Sequence, residues 1–495
     1  MTDTDTQVIP MMTRNESHAC QAMERTTSNK TEPADMGEKS TARVPSVKVA
    51  IVGNVDSGKS TLCGLLSKGI ADDGNGKTRA TVFNYNHENS SGRTSSVAHE
   101  IMGWDEDGKQ QFPDHFSQNK NKYWNEVVKK SSKFVNLIDL CGHEKYLKTT
   151  MTGMVGLVPD YAMVIVGANL GLSKMTREHL GIAMSMKLPF FIVVTKVDMV
   201  DKAVLDQTVS DLKKLMKHPS CGKMPLVIEK DEDINFATSD IDQPASVLCP
   251  IFKVSSVSLE NIDLLIKFFY RMKSRNAVNP LIGSNTDPLQ IGIHETFTVK
   301  GVGLTMAGTL LSGTLNTGQV VLCGPDKLGK FKSLVVSSVH VNRVPVETAY
   351  SGDYICCAVK PANKKNVITR KDIRKGMMLL DPNLEPVPAW EFDALVEVLQ
   401  ITARISIGYQ AYMHCGMIRQ SVTVVTMDKD VLMPKDIARV RFRFMFSPEY
   451  IRKDLPLLIR EGRTKVKGTI TRVVPIKEPV NALLAAPQQE MMEGD

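Results

Sequence analysis

The sequence of 495 residues lacks several features that would place it in a class at once. It contains no apolar run of about 18 residues, so neither a membrane-spanning helix nor a membrane partner is expected. Its nine cysteines include no C-x-x-C pair, which argues against a zinc site or a disulfide framework. The first residues include Asp3 and Asp5 and no apolar core segment, unlike a secretory signal. These absences predict a cytoplasmic protein with reduced thiols.

Neither the charge nor the composition is extreme. Lys and Arg total 61 against 54 Asp and Glu, and the net charge of +7 permits an RNA or acidic partner without requiring one. Hydrophobic residues make up 42%, enough for a sizeable core, and the length predicts roughly three domains. Residues 1–45 are rich in Ser, Thr and charged residues, which predicts a disordered tail. A flexible C-terminal tail is predicted for 477–495.

One stretch carries the strongest signal for chemistry. It reads G-N-V-D-S-G-K-S-T, follows an apolar strand pattern at 47–52 and precedes a helical pattern. The spacing matches the phosphate-binding pattern G-x-x-x-x-G-K-[ST], in which backbone N–H groups and a helix N-terminus surround a polyphosphate. The alternative, a chance Gly-rich turn, is disfavoured by this strand–loop–helix context. The predicted nucleotide-binding residues of this loop are Gly53, Asn54, Val55, Asp56, Ser57, Gly58, Lys59, Ser60 and Thr61, with Lys59 on the terminal phosphates and Ser60 on Mg²⁺.

Between residues 46 and 278, short apolar runs alternate with segments of helical periodicity. The runs at 134–138, 161–166, 189–194 and 250–254 are apolar on both faces, as in the strands of a covered parallel sheet. This alternation predicts an α/β domain with a doubly wound, mostly parallel sheet. In such folds ligands bind at the carboxyl ends of the strands, where the phosphate-binding loop also lies.

The run at 134–138 leads directly into Asp139, with Gly142 and His143 following. An Asp at a strand end can hold Mg²⁺ through a water, and Gly142 lets its backbone N–H approach a third phosphate. His143 is the predicted catalytic residue, because it would orient the attacking water and stabilise developing charge. The alternative is a surface histidine at a helix start, which the preceding Asp-x-x-Gly pattern disfavours.

Two later strand ends carry residues suited to a purine base. The run at 189–194 leads into Thr195, Lys196 and Asp198. The Asp198 carboxylate can accept two hydrogen bonds from guanine N1 and its amino group, a pattern that adenine lacks. The next run leads to the last predicted base-site residues, Ser255, Ser256 and Val257. Each signal is weak alone and gains value from its place in the order of strands.

A polar, Gly-rich segment at 90–97 lies between the phosphate-binding loop and Asp139. Thr94 in this segment is predicted to close on Mg²⁺ and the third phosphate and to release after hydrolysis. The alternative is a plain Ser-rich surface loop.

From residue 279 onward the pattern is β-rich, and two all-β barrel domains are predicted at 279–382 and 383–476. In the second, Arg439, Arg441 and Arg443 alternate with apolar residues and so line one face of a strand. Such a stripe suits an RNA backbone. The alternative is the solvated outside of a barrel strand.

Taken in order, these stretches resemble the nucleotide-site motifs of translational GTPases of the elongation factor Tu and elongation factor one-alpha superfamily. Gly53 to Ser60 resembles the phosphate loop, Thr94 the switch threonine and Asp139 to His143 the D-x-x-G-H motif. Thr195 to Asp198 and Ser255 to Val257 resemble the two base-reading motifs. The loop sequence and S-G-R-T-S-S are similar to those of the GTP-binding protein 1-like subfamily, over about residues 46 to 475 in all.

This resemblance implies that the chain binds GTP and hydrolyses it to GDP and phosphate with Mg²⁺. It implies a conformational switch that acts on the translation machinery as a monomer, with the ribosome and aminoacyl-tRNA as partners and no DNA. Mg²⁺ would be held by Ser60, Thr94 and, through water, Asp139. Two rival functions stay open: a GTPase of other metabolism, such as the regulatory subunit of sulfate activation, and a nucleotide-dependent scaffold for RNA-handling proteins.

The sequence departs from the wider superfamily in three places. Thr195 stands where elongation factors usually carry Asn, which removes one amide from the base site while Asp198 keeps the selectivity. Asn54 and Ser57 replace histidines common in elongation factors, and the subfamily makes the same choice. The 45-residue separation of Thr94 and Asp139 is long, which predicts an extra segment at about 103–131.

Overall fold

The computed structural model describes residues 46–112, 120–363, 368–401, 404–462 and 464–475. The predicted tails at 1–45 and 477–495 lie outside the described residues. Within the described ranges, every helix is too short or too polar to cross a bilayer.

The first unit is built on an eight-stranded sheet. Its strands are β1 (Val47–Gly53), β2 (Ala98–Trp104), β3 (Gln110–Gln111), β4 (Lys133–Asp139), β5 (Tyr161–Gly167), β6 (Phe190–Thr195), β7 (Met224–Val227) and β8 (Leu248–Lys253). Their order in space is β3-β2-β4-β1-β5-β6-β8-β7. All pairs from β4 to β7 in this order are parallel, and β2 and β3 extend the sheet in antiparallel pairings. The prediction of a mostly parallel sheet is therefore confirmed.

Helices cover both faces of this sheet. The α-helices of the described residues are α1 (Lys59–Lys68), α2 (Lys77–Ala80), α3 (Asn86–Ser91), α4 (Lys120–Lys130), α5 (Leu147–Met151), α6 (Lys174–Ser185), α7 (Lys202–Lys217), α8 (Asp231–Ile241) and α9 (Ile262–Arg271). Because side chains alternate along a strand, Val49 and Ile51 of β1 pack with α1, α8 and α9, while Ala50 and Val52 pack with α5, α6 and α7. This two-sided burial explains why the strands read as continuous apolar runs.

The second unit is an all-β barrel. Its strands are β9 (Gln290–Val299), β10 (Gly303–Ser312), β11 (Thr314–Asn316), β12 (Val320–Gly324), β13 (Lys332–Val341), β14 (Val344–Val346), β15 (Thr348–Tyr350), β16 (Tyr354–Pro361) and β17 (Met378–Leu380). Six strands close into a ring in the order β12-β17-β9-β10-β16-β13, because β12 also pairs with β13. Closure removes the free edges that an open sheet would expose.

The third unit is a closed six-stranded barrel in the order β18-β21-β20-β19-β22-β23. Its strands are β18 (Ala389–Gln400), β19 (Gln410–Cys415), β20 (Ile418–Met427), β21 (Ile437–Phe444), β22 (Pro456–Glu461) and β23 (Thr464–Pro475). The prediction of two all-β barrels is thus confirmed. The predicted boundaries after residues 278 and 382 lie in the connections between these units, and they remain predictions of where domains divide.

The predicted arginine stripe lies on the outer face of β21, since the residues that alternate with the arginines, Val440, Phe442 and Phe444, are buried. Arg441 makes a two-pronged ion pair with Asp393, at 2.7 and 3.1 Å. Arg443 lies 3.6 Å from Glu391. These carboxylates neutralise part of the stripe, so the solvated barrel face is the better-supported interpretation of the pattern.

Polar contacts join the three units. Lys48 of β1 is buried, and its ammonium donates to the Gly352 carbonyl of the first barrel at 2.9 Å. Glu178 of α6 accepts from Lys465 of the second barrel at 2.7 Å. Between the two barrels, the Arg374 guanidinium donates to both oxygens of Glu449, each at 2.7 Å. The α/β unit is therefore tied to both barrels through side chains.

Candidate nucleotide-binding site

The phosphate-binding loop connects the end of β1 at Gly53 to the start of α1 at Lys59. Gly58 precedes the helix with φ of 84°, a left-handed conformation that glycine adopts without a steric penalty. Because glycine has no side chain to cap a helix, the N–H groups of the first turn of α1 are left for a ligand. A helix start of this kind favours an anion such as phosphate.

Lys59 is folded into the loop. Its ammonium donates to the Asn54 carbonyl at 2.6 Å, and the Ser57 hydroxyl donates to the same oxygen at 2.9 Å. Burial lowers the pKa of Lys59, while the nearby Asp139 carboxylate acts in the opposite direction. The loop therefore holds a desolvated cation where the terminal phosphates are predicted.

The three predicted metal-binding residues converge. The Ser60 hydroxyl donates to Asp139 Oδ2 at 2.6 Å, and Thr94 Oγ1 lies 2.8 Å from Ser60 Oγ and 3.5 Å from the same carboxylate oxygen. Burial raises the pKa of Asp139 to about 6, against the effects of Lys59 and Ser60. Its other oxygen, Oδ1, is buried and has no hydrogen-bond partner among the described residues. Oxygen ligands with a buried, unpartnered carboxylate atom fit a hard divalent cation such as Mg²⁺.

Gly142 closes the other side of the pocket. A Cβ atom added there would lie 2.5 Å from Lys59 Nζ and 2.7 Å from the Gly53 carbonyl oxygen. The backbone of the Asp139–His143 segment thus approaches the phosphate-binding loop too closely for any side chain at this position.

His143 lines the same pocket as Lys59, Ser60, Thr94 and Gly142. Its side chain is exposed, and its Nδ1 accepts from the Lys145 N–H at 3.0 Å. Since Nδ1 is an acceptor, the proton of the neutral ring lies on Nε2. In this tautomer the histidine can donate to a water or an oxyanion through Nε2.

The predicted base-reading residues lie at the ends of the neighbouring strands β6 and β8. Thr195 is buried, and its hydroxyl donates to the Ser57 carbonyl at 2.7 Å, which ties the end of β6 to the phosphate-binding loop. Lys196 follows in a left-handed conformation with φ of 61°, and Asp198 is exposed. The Ser255 hydroxyl accepts from the Val257 N–H at 3.2 Å and so shapes the turn that also contains Ser256. Thr195 thus contacts the phosphate-binding loop, and none of these base-site residues lines the phosphate pocket.

The sequence motifs do not identify three residues near the pocket. Arg79 and Tyr146 line it beside His143. Glu88 is completely buried beneath the 90–97 segment. No motif spacing marks Arg79 or Tyr146. Glu88 lies in a polar stretch of ordinary loop composition, so only its contacts in the folded chain identify it.

Comparison with known proteins agrees with this arrangement. Residues 44–275 match the model of the elongation factor Tu GTP-binding domain. The chain is 42% identical over 449 residues to GTP-binding protein 1 of Xenopus laevis, covering 90% of this chain and 66% of that protein. It is 37% identical over 437 residues to GTP-binding protein 2 of Mus musculus, covering 87% of this chain and 70% of that protein. The chain belongs to the GTP-binding protein 1-like subfamily of translational GTPases. Its membership confirms the resemblance inferred from the sequence motifs.

Solved structures share the fold of this GTPase family member. Elongation factor SelB from Methanococcus maripaludis, in complex with the GTP analogue GppNHp, superposes with a TM-score of 0.60 at 16% identity. The match covers 88% of this chain and 81% of the SelB chain. The chain spans 66% of the length of its Xenopus relative.

Proposed function

We propose that this chain hydrolyses GTP to GDP and phosphate as a conformational switch on the translation machinery. The observation that carries the proposal is the meeting of Ser60, Thr94 and Asp139 within 3.5 Å. Ser60 comes from the phosphate-binding loop and Asp139 from a strand end. Thr94 comes from residues 90–97, which we call the switch segment. A ligand that binds all three would tie the switch segment to the core of the domain.

The residues have distinct proposed roles around the polyphosphate. The N–H groups at the start of α1, Lys59 and Gly142 would bind phosphate oxygens, with the loop residues Gly53 to Thr61 surrounding them. Mg²⁺, where bound by Ser60, Thr94 and the water-linked Asp139, supplies charge neutralisation to the phosphates. His143 would orient the attacking water and stabilise charge by donating from Nε2. In this tautomer it acts as a donor and not as a general base.

Guanine selectivity is proposed to rest on Asp198, whose exposed carboxylate is free to accept two hydrogen bonds from the base edge. Lys196 and the turn Ser255 to Val257 would complete the base site. Thr195 would support guanine binding indirectly. Its hydroxyl donates a hydrogen bond to the Ser57 carbonyl and so links the base site to the phosphate-binding loop.

A cavity of about 130 Å³ lies between the α/β unit and the first barrel and supports a switch that reaches beyond the nucleotide. Ser96 and Val97 of the switch segment line one wall, and His294 and Tyr354 of the barrel line another. Movement of the segment would therefore change a surface that both units share. We propose that the ribosome and aminoacyl-tRNA read this change, and that the chain acts as a cytoplasmic monomer without DNA or membrane partners.

The test is a pull-down of ribosomes and aminoacyl-tRNA with the chain loaded with a non-hydrolysable GTP analogue or with GDP. The proposal expects retention with the GTP analogue and release with GDP. A GTP hydrolysis rate that neither ribosomes nor aminoacyl-tRNA change would favour a GTPase of other metabolism. Nucleotide binding with no turnover, even with ribosomes present, would favour a scaffold.

A further inference from the structure

Glu88 is the buried group that the proposed mechanism leaves unused. It lies in α3, and its carboxylate is fully enclosed. The Oε2 atom accepts from the N–H groups of Asn84 and Tyr85, at 2.9 and 3.3 Å, as a helix-capping carboxylate would. Capping accounts for only one of its two oxygens.

The second oxygen binds the switch segment. Glu88 Oε1 accepts from the N–H and hydroxyl of Ser95, at 2.7 and 2.9 Å, and from the N–H and hydroxyl of Ser96, both at 3.1 Å. These two residues directly follow Thr94, which contacts Ser60 at 2.8 Å. The Cys141 thiol also donates to the Ser96 carbonyl, at 3.5 Å. The backbone after Thr94 is thus held by the Glu88 carboxylate and by Cys141 of the Asp139–His143 segment.

This carboxylate is held in its charged form by hydrogen bonds. Burial alone would raise the pKa of Glu88, but the bonds from Ser95, Asn84 and Ser96 outweigh burial and bring it below its ordinary value. All six donors are neutral, and four of them belong to Ser95 and Ser96, so most of the stabilisation of the charge depends on the 90–97 segment staying in place. Releasing Ser95 and Ser96 would leave a buried anion with two donors instead of six, which opposes release.

We propose that Glu88 is a positioning residue that sets the closed state of the switch segment and thereby places Thr94 over the metal and third phosphate. The inference rests on the proposed function, since it assigns Glu88 to the same switch. It predicts a specific pattern of effects. Nucleotides with a third phosphate use Thr94 and should depend on Glu88, whereas GDP should not.

The test compares wild type with Glu88→Gln. Glutamine keeps the shape but has one accepting oxygen, so either the Ser95–Ser96 donors or the capping donors lose their partner. The affinity for a GTP analogue should fall at least roughly tenfold, with the affinity for GDP changed by less than about twofold. In the nucleotide-free, EDTA-treated protein, the Ser95 and Ser96 amides should exchange hydrogen at least roughly tenfold faster.

Asp233→Asn supplies the matched control. Asp233 Oδ2 accepts from the Glu229 and Lys230 N–H groups at the start of α8, at 3.0 and 3.1 Å, so it is a capping carboxylate remote from the switch. It should leave both nucleotide affinities unchanged. The double variant Ser95→Ala, Ser96→Ala removes two of the six bonds and should shift the GTP-to-GDP preference in the same direction, by less.

Four outcomes are distinguishable. Equal losses of GTP-analogue and GDP affinity in Glu88→Gln would make Glu88 a structural cap and overturn the proposal. Unchanged amide exchange and unchanged affinities would overturn it as well. If Glu88→Gln fails to fold, the serine double variant decides, because an unaltered GTP-to-GDP preference there contradicts the proposal. Failure of the wild type to bind GTP would instead overturn the proposed function.

Discussion

The hydroxyl of Ser60 lies 2.6 Å from the carboxylate of Asp139, so the start of α1 and the end of β4 share a hydrogen bond across the sheet edge. The two residues are 79 positions apart in sequence. Parallel pairing of β1 with β4, in which Ile51 lies opposite Asp139, brings them together. The sheet topology itself therefore assembles the candidate metal site. Substitutions at this edge of the sheet should reduce nucleotide affinity and hydrolysis more than they reduce the free energy of unfolding.

Replacing Gly142 with Ala should block the close approach of its backbone to the loop. The added Cβ would lie 2.5 Å from Lys59 Nζ and 2.7 Å from a backbone oxygen, so either the loop or the segment must shift. We expect nucleotide affinity to fall roughly tenfold or more, measured by fluorescence titration with a labelled GDP. Gly181→Ala in α6 is the control, because nothing lies within 4 Å of its added Cβ. Equal affinities in the Gly142 variant and wild type would contradict the packing argument.

Asp198→Asn should change the preferred base. An amide keeps one acceptor for N1–H but presents a donor to the amino group of guanine, whereas xanthine offers a carbonyl there. GTP affinity should fall by roughly two orders of magnitude while XTP affinity rises. Competition binding with GTP, XTP and ATP measures both changes. A variant that still prefers GTP would show that Asp198 does not read the base.

Thr195→Val tests whether the Thr195 hydroxyl supports nucleotide binding at the position where elongation factors usually carry asparagine. Valine keeps the buried shape but removes the 2.7 Å hydrogen bond to the Ser57 carbonyl. We expect a loss of about 1 kcal/mol in the free energy of unfolding and a several-fold loss of GDP affinity. Thr195→Ser retains the hydroxyl and should stay close to wild type in calorimetry and titration. Wild-type behaviour of Thr195→Val, together with losses in Thr195→Ser, would mean that the methyl group matters and the bond does not.

The interface of the two barrels should respond to pH through Glu449. Burial raises its pKa to about 7, against the effect of Arg374. Because the folded pKa lies above the unfolded value, the stabilisation from Glu449 is complete below about pH 4.5 and is lost as the pH rises through 7. The Tm of the wild type should therefore fall relative to the Tm of Glu449→Gln as the pH rises from about 5 to about 8. Parallel pH profiles would show that Glu449 stays ionised beside Arg374.

The sequence predicted the elements whose signal is local. Each of the apolar runs at 134–138, 161–166, 189–194 and 250–254 lies largely within a parallel strand, because strands buried on both faces need apolar residues throughout. The predicted extra segment at 103–131 holds β3 and α4. The contacts of Ser60, Thr94 and Asp139 were expected from motif order. Their distances required the fold.

Other features could not be predicted, because they depend on contacts between distant segments. Glu88 is unremarkable in the sequence, and its six hydrogen bonds exist only once the 90–97 segment folds over it. The link from Thr195 to Ser57 spans 138 residues. The arginine stripe was placed on the correct face of its strand, but the carboxylates of Asp393 and Glu391 come from the neighbouring strand β18.

The most direct test of the central claim is phosphate release under single-turnover conditions, with GTP or ATP and with or without Mg²⁺, in the presence of ribosomes. The account predicts release from GTP that requires Mg²⁺ and is lost at least roughly a hundredfold in His143→Ala, with little release from ATP. GTP that binds and stays intact, or ATP that is cleaved equally well, would contradict it.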